Sequence, residues 1–196
     1  MAGKRKATKL DAMSHATRRK ILVEATTLFA RQGYHGTTFT DLAHAIGKTQ
    51  GAIFHHFATK EDLLKAVVAR LAKGFQVYRK ALETPAGAAP FRCVLASMVE
   101  HYNSQPEATV CLAALATEFA GSGHPILWEI RKSYDSFVEP LSKALEAKGL
   151  SSPQAAAIAF IGAAQGVAIQ GMLREGAPAM EELAAAFLGM ISSSAR

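Results

Sequence analysis

The segment from Thr38 to Phe57, TFTDLAHAIGKTQGAIFHHF, gathers side chains whose types and spacing suit recognition of a polyanion. Thr38, Thr40, Thr49, Gln50, His55 and His56 offer hydrogen bonds, Lys48 and the following Lys60 add charge, and Asp41 is the one acid. Leu42, Ala43 and Ile46 share one face of a short helix, and Ile53 and Phe57, four apart, share a face of the next. Gly47 and Lys48 form the tight turn between them. A helix, a glycine turn and a second helix make a helix-turn-helix, whose second helix can enter a DNA major groove. With the apolar positions turned inward, Thr49 and Gln50 fall at its N-terminal end. Gly51, Ala52, Phe54 and His55 lie along its outer arc, with His56 at the border. A glutamine there suits the N6/N7 edge of adenine, and an alanine the methyl of thymine. His55 and His56 do not make a metal site: neighbours on a helix point about 100° apart, and no Cys or Glu stands at ligand spacing from them.

No other constellation carries chemistry of comparable weight. The chain has no G-x-S-x-G, no H-E-x-x-H, no phosphate-binding glycine loop and no clustered carboxylate pair, so no enzyme class and no cofactor is expected. His101, beside Glu100, and His124, in a Gly-Ser-Gly-His-Pro turn, read as surface or structural residues. Cys93 and Cys111 read as small buried hydrophobes rather than a redox pair.

The elements that must hold these residues are all helical. Ile21, Leu22, Ala25, Leu28 and Phe29 trace one face of a first helix, with Thr17 as its cap and Gly33 as its stop. Thr38 caps the second helix, and the third spans about 49–57. Thr59 and Asp62 form a shortened capping box that opens a long fourth helix bearing Leu63, Leu64, Val67, Val68, Leu71, Phe75 and Tyr78. Pro85, Gly87 and Pro90 mark a break. Beyond it the spacing predicts five more helices, at about 91–102, 109–120, 126–145 (with a kink at Pro140), 153–174 and 180–191. The expectation is an all-α chain of about nine helices without internal repeat.

Charge divides the 196 residues in the same way. Residues 1–60 carry ten Lys and Arg against three acids, a net of +7, and the remainder twelve against thirteen, a net of −1. A basic head on an apolar, nearly neutral body fits an anion-binding module joined to a module of another kind. The basic N-terminus is followed by polar sequence, not an apolar run, so no signal peptide is expected and the chain reads as cytosolic. Ala155–Ile169 is the most membrane-like stretch. Its Ala and Gly content, with Gly162 and Gly166 four apart, reads better as a close helix–helix contact.

Residues 17–68 resemble the N-terminal DNA-binding domain of TetR-family transcriptional repressors. Leu28-Phe29-Ala30-Arg31-Gln32-Gly33-Tyr34 carries the likeness, with Thr38, Asp41, Leu42, Ala43, Gly47, the run Gly51–Phe57, and Lys60, Glu61, Leu63 and Leu64. The resemblance implies that Thr38, Thr49, Phe54 and Lys60 lie near phosphates. It puts Thr40, Gln50, Gly51 and Ala52 nearest base edges and His56 at the backbone or groove wall. Many members carry a basic residue at the position of Gln50 and a tyrosine at that of Phe54. Losing the phenol removes a phosphate contact, and Lys48 restores charge in the turn.

The same resemblance divides the chain into a basic disordered arm (1–14), the helix-turn-helix domain (15–62) and a helical ligand-binding and dimerisation domain (63–196), joined by the long fourth helix. It implies an internal cavity walled by Met98, Tyr102, Leu112, Leu115, Phe119, Trp128, Tyr134 and Phe137, suited to a small hydrophobic or aromatic effector. His101, Tyr102, Glu118 and Gln165 would orient that effector. It also implies a two-fold homodimer through the last two helices, by Ile158, Ala159, Ile161, Gly162, Gly166, Ile169, Leu183, Phe187 and Met190. Double-stranded DNA, an effector and a second copy are thus the expected partners, with no membrane. The competing expectation is an all-α small-molecule-binding protein whose head no longer reads DNA.

Overall fold

The computed structural model describes residues 9–82 and 90–193. Among them are nine helices and no strand: α1 (Lys9–Gly36), α2 (Phe39–Ile46), α3 (Gln50–His56), α4 (Lys60–Leu82), α5 (Pro90–Ser104), α6 (Pro106–Phe119), α7 (Ile126–Glu146), α8 (Pro153–Leu173) and α9 (Met180–Ser193). The expected pattern of helices is therefore present, with a difference at the start of the chain. The first helix begins at Lys9, so Thr17 lies inside it instead of capping it, and residues 9–14, expected in a disordered arm, are helical. Lys4, Arg5 and Lys6 of that arm, and most of the Pro85–Pro90 break, lie outside the described residues. α7 runs as one helix that contains Pro140.

The head closes on a small apolar core. Ile21, Ala25 and Phe29 of α1 meet Leu42, Ala43 and Ile46 of α2, Ile53 of α3, Phe57, and Leu63, Leu64 and Val67 of α4, all buried. The body continues the same cluster without a gap. α4 packs on α5 and α7, α7 on α8, and α9 against α5 and α8. Two connections join the halves. α4 belongs to both, and the end of α1 lies along α6.

Candidate nucleic-acid interface, head–body seam and internal cavity

The helix-turn-helix is assembled from short-range hydrogen bonds. Thr38 Oγ1 accepts from Asp41 N–H (3.1 Å), and the Asp41 carboxylate accepts from Thr38 N–H (2.8 Å) and its hydroxyl (2.7 Å). These bonds from Thr38, side chain first, hold the Asp41 carboxyl below its usual range. Gly47, at φ 66° and ψ 43°, takes the left-handed turn that ends α2, a conformation glycine adopts without strain. Lys20 Nζ donates to Ile46 O at 3.0 Å, covering a further carbonyl of that helix end. Nothing in the spacing of Lys20 and Ile46, 26 residues apart, announces this bond. Thr49 caps α3 by accepting from Ala52 N–H (3.3 Å).

On α3, Ile53 is fully buried and Phe57 behind it nearly so. Gln50, Gly51, Phe54 and His55 are exposed, as are Thr38, Thr40, Lys48 and Thr49 around them; Ala52 and His56 are half-buried. The outer arc thus holds the expected residues as one surface. The Gln50 side-chain amide donates to Thr40 Oγ1, which ties α3 to α2 and limits the freedom of that amide. Phe54, 52% exposed, meets Phe39 edge to face at 4.8 Å between centroids. Burial, then the neighbouring His55 and Arg18, lowers the pKa of His56, so its ring is neutral near pH 7. Lys60, expected at a phosphate, is also an internal tie. Its Nζ donates to His35 O (3.3 Å) and sits 4.4 Å over the Tyr34 ring, and burial lowers its pKa. The Thr59–Asp62 capping box is formed in both directions, at 3.1 and 3.0 Å.

Glu118 was expected in the cavity and lies elsewhere. Gly33, at φ 77°, breaks the helical path of α1 and presents the next two N–H groups to α6. The Glu118 carboxylate accepts from Tyr34 N–H (2.7 Å) and His35 N–H (2.8 Å), and contacts His35 Nδ1 at 2.7 Å. Burial raises its pKa, but these hydrogen bonds outweigh that, and the net shift is downward. Arg31–Glu107 (2.5 Å) adds a second link between α1 and α6. His124 Nδ1 accepts from Ile126 N–H (3.1 Å) while its Nε2 lies 3.4 Å from Glu61 Oε2, a turn-fixing role. Phe119 (2% exposed) and Leu115 (fully buried) fill the core here and do not face a cavity.

The body holds a tight, partly open cavity of about 70 Å³ between α4, α5, α6, α8 and α9. Of the residues expected there, Met98, His101, Tyr102, Leu112 and Gln165 line it. Tyr134 stands behind Gln165, whose Nε2 donates to the Tyr134 hydroxyl at 2.6 Å. Phe137 is fully buried between Phe75 and Tyr78. Trp128, by contrast, is 59% exposed in an outer groove, with Lys132 Nζ 4.7 Å over its ring. Helical spacing marks a residue as apolar-facing without saying which of two apolar surroundings it faces. That ambiguity explains the misplacement of Leu115, Phe119, Trp128 and Phe137. Gly74, Tyr78 and Thr109 also line the cavity and were not anticipated.

The expected dimer surface divides similarly. Ile158, Ala159, Gly162, Ile169 and Met190 are exposed, and Gly166 and Leu183 half-buried. Ile161 and Phe187 turn inward and line the cavity instead. α8 is long and apolar enough to cross a membrane by length and composition, yet only 22% of its most apolar window is buried. Among the described residues no cluster of His, Cys, Asp and Glu is suited to a metal ion. Cys93 and Cys111 are free thiols, and burial pushes the Cys111 thiol up to about 12.

Residues 21–67 match the family of bacterial regulatory proteins named for TetR. The repressor AcnR of Corynebacterium glutamicum is 49% identical over 51 residues, covering 26% of this chain and 27% of that protein. The repressor KstR2 of Rhodococcus jostii is 33% identical over 92 residues, covering 45% and 43%. The matched region therefore spans less than half the length of either relative. A TetR-family regulator from Agrobacterium tumefaciens superimposes with a TM-score of 0.76 at 20% identity, over 90% of this chain and 98% of its own. KstR2 of Mycobacterium tuberculosis does so with a TM-score of 0.74 at 18% identity, over 91% and 94%. Those two likenesses speak for the fold, and the matched head speaks for the lineage. The helix-turn-helix head, residues 21–67, thus matches the TetR family of bacterial regulatory proteins, and the fold that carries it is the fold of solved TetR-family regulators.

Proposed function

We propose that the protein is a cytoplasmic, homodimeric transcriptional repressor that leaves its operator when a small hydrophobic or aromatic molecule enters the body. The observation that carries this reading is the outer arc of α3, where Gln50, Gly51, Phe54 and His55 stand exposed over the closed Ile53–Phe57 core. Residues 15–62 are the DNA-reading head. Thr38, Thr49, Phe54 and Lys60 hold phosphates, and Thr40, Gln50, Gly51 and Ala52 face base edges, with Lys48, His55 and His56 at the flanks. Residues 63–196 bind the effector and dimerise.

The exposed apolar side chains of α8 and α9, among them Ile158, Ile169 and Met190, support a two-fold contact. Such a dimer sets two recognition helices about 34–36 Å apart, one helical turn of DNA. Release follows from shared elements. α4 carries Phe75 and Tyr78 on the cavity and Lys60 at the head, while α6 carries Leu112 on the cavity and Glu118 at the seam. A ligand that favours a wider cavity shifts both helices, by no more than its differential affinity for the two head spacings.

Selection from a randomised duplex library tests the whole reading. The expected product is a pseudo-palindrome bound with steep salt dependence, and failure to retain any duplex at low salt overturns it. Ile169→Glu should give a monomer in light scattering and lose palindrome binding.

A further inference from the structure

Among the described residues, none that lines the internal cavity is Asp, Glu, Lys or Arg. The outer surfaces differ: the groove beside Trp128 carries Lys65, Lys73, Arg79, Glu129 and Lys132, and the one between α5 and α9 carries Arg92, Glu100 and Glu181. Arg70, one residue before the cavity-lining Leu71, is already engaged by Thr26 Oγ1 (3.3 Å) and Gln105 Oε1 (2.7 Å). What polarity the cavity has comes from His101, Tyr102, Thr109, Gln165 and Tyr78. Burial, then Arg70, lowers the pKa of His101, and burial raises that of Tyr78 to about 12, so both are uncharged at neutral pH. A neutral imidazole both donates and accepts, and the Gln165 amide keeps a carbonyl acceptor once its NH₂ is held by Tyr134.

An ion moved into such a space loses its hydration and meets no counter-charge, which costs far more than burying a hydroxyl or carbonyl that finds a hydrogen bond. Size narrows the class further. A cavity of about 70 Å³ is below the ~150 Å³ that accommodates benzene, so even a one-ring occupant must part the walls. Met98 and Met180, in the lining, are the side chains able to give way.

We propose that the cavity selects by charge state. It takes a compact, uncharged molecule of about one ring with a single hydroxyl or carbonyl, and refuses carboxylates and ammonium ions of the same size. The proposal rests on reading this cavity as the effector site. It is tested on the full chain without DNA, so that its failure and that of the regulator reading are separable. Calorimetric titration at pH 7 with benzyl alcohol, benzoate and benzylamine should give binding of the alcohol at least tenfold tighter than of either ion. Gln165→Leu should weaken benzyl alcohol several-fold and leave toluene unchanged. Gln165→Glu keeps the size and adds a carboxylate, and should bring benzylamine level with the alcohol or above it. Comparable binding of all three probes, preference for an ion, or no binding of benzyl alcohol overturns the proposal. Benzyl alcohol bound by a protein that retains no duplex would instead sink the regulator reading alone.

Discussion

In the head, Gln50, Phe54 and His55 face solvent while Ile53 and Phe57 beneath them are closed. In the body the polarity runs the other way: His101 and Gln165 line an internal cavity, while Ile158 (56% exposed) and Leu173 (70%) stand on the outside. The head caps its helices by bonds between residues three apart, Thr38 with Asp41, Thr49 with Ala52 and Thr59 with Asp62, and adds the longer ties of Lys20 to Ile46 and Gln50 to Thr40. The body secures its cavity by packing residues that are tens of positions apart. A rigid display surface and a deformable interior are different mechanical requirements, and the two halves meet them with different ranges of interaction.

The strongest way to break this contrast is to loosen the rigid half. Phe29→Ala empties a fully buried site in the head and should cost about 3–5 kcal/mol in denaturant unfolding. A loss under about 1 kcal/mol would mean the head relaxes as readily as the body. Next is the seam. In Glu118→Gln an amide sets one oxygen and one NH₂ against two N–H donors, with an expected cost of about 1–3 kcal/mol. Because hydrogen bonding holds the folded Glu118 carboxyl below its ordinary range, its stabilisation is present above about pH 4.3 and is lost as pH falls through the folded pKa. The glutamine variant should therefore show a flatter acid limb in thermal melts, and an unchanged limb would remove Glu118 from the seam's energetics. Thr38→Ala, which deletes the α2 cap, should cost ~1 kcal/mol by the same denaturant assay. Smallest in stability is Lys60→Ala, at about 0.5–1 kcal/mol for a partly exposed cation–π contact. Its mark is in DNA binding, where affinity should fall alike for all sequences and the salt slope by about 1.

The same contrast explains what could be read in advance. Helix order, the Gly33 and Gly47 stops, the cap at Thr38 and the exposed arc of α3 depend on neighbours in sequence, and all were legible. The cavity was not. Leu112 and Leu115 are three apart on α6, yet one lines the cavity and the other is closed in the core. Glu118 looked like a cavity group because the partner that claims it lies 84 positions earlier. Ile161 and Phe187 share the apolar spacing of the outer face but turn inward. A helix wetted on no side by its own sequence pattern, such as α8, offers no polar stripe to tell its faces apart.

α8 has one more consequence, for abundance. Its exposed apolar length is surface that water does not stabilise, and a chain bearing it gains most from whatever covers it. If the cover is another copy, apparent stability rises with the number of copies present. Scarce chains would then be the fragile ones, more open to proteolysis and clearance than chains made in excess. A protein built this way sets a floor on its own dose: below it the protein disappears faster than it pairs, and above it the population persists.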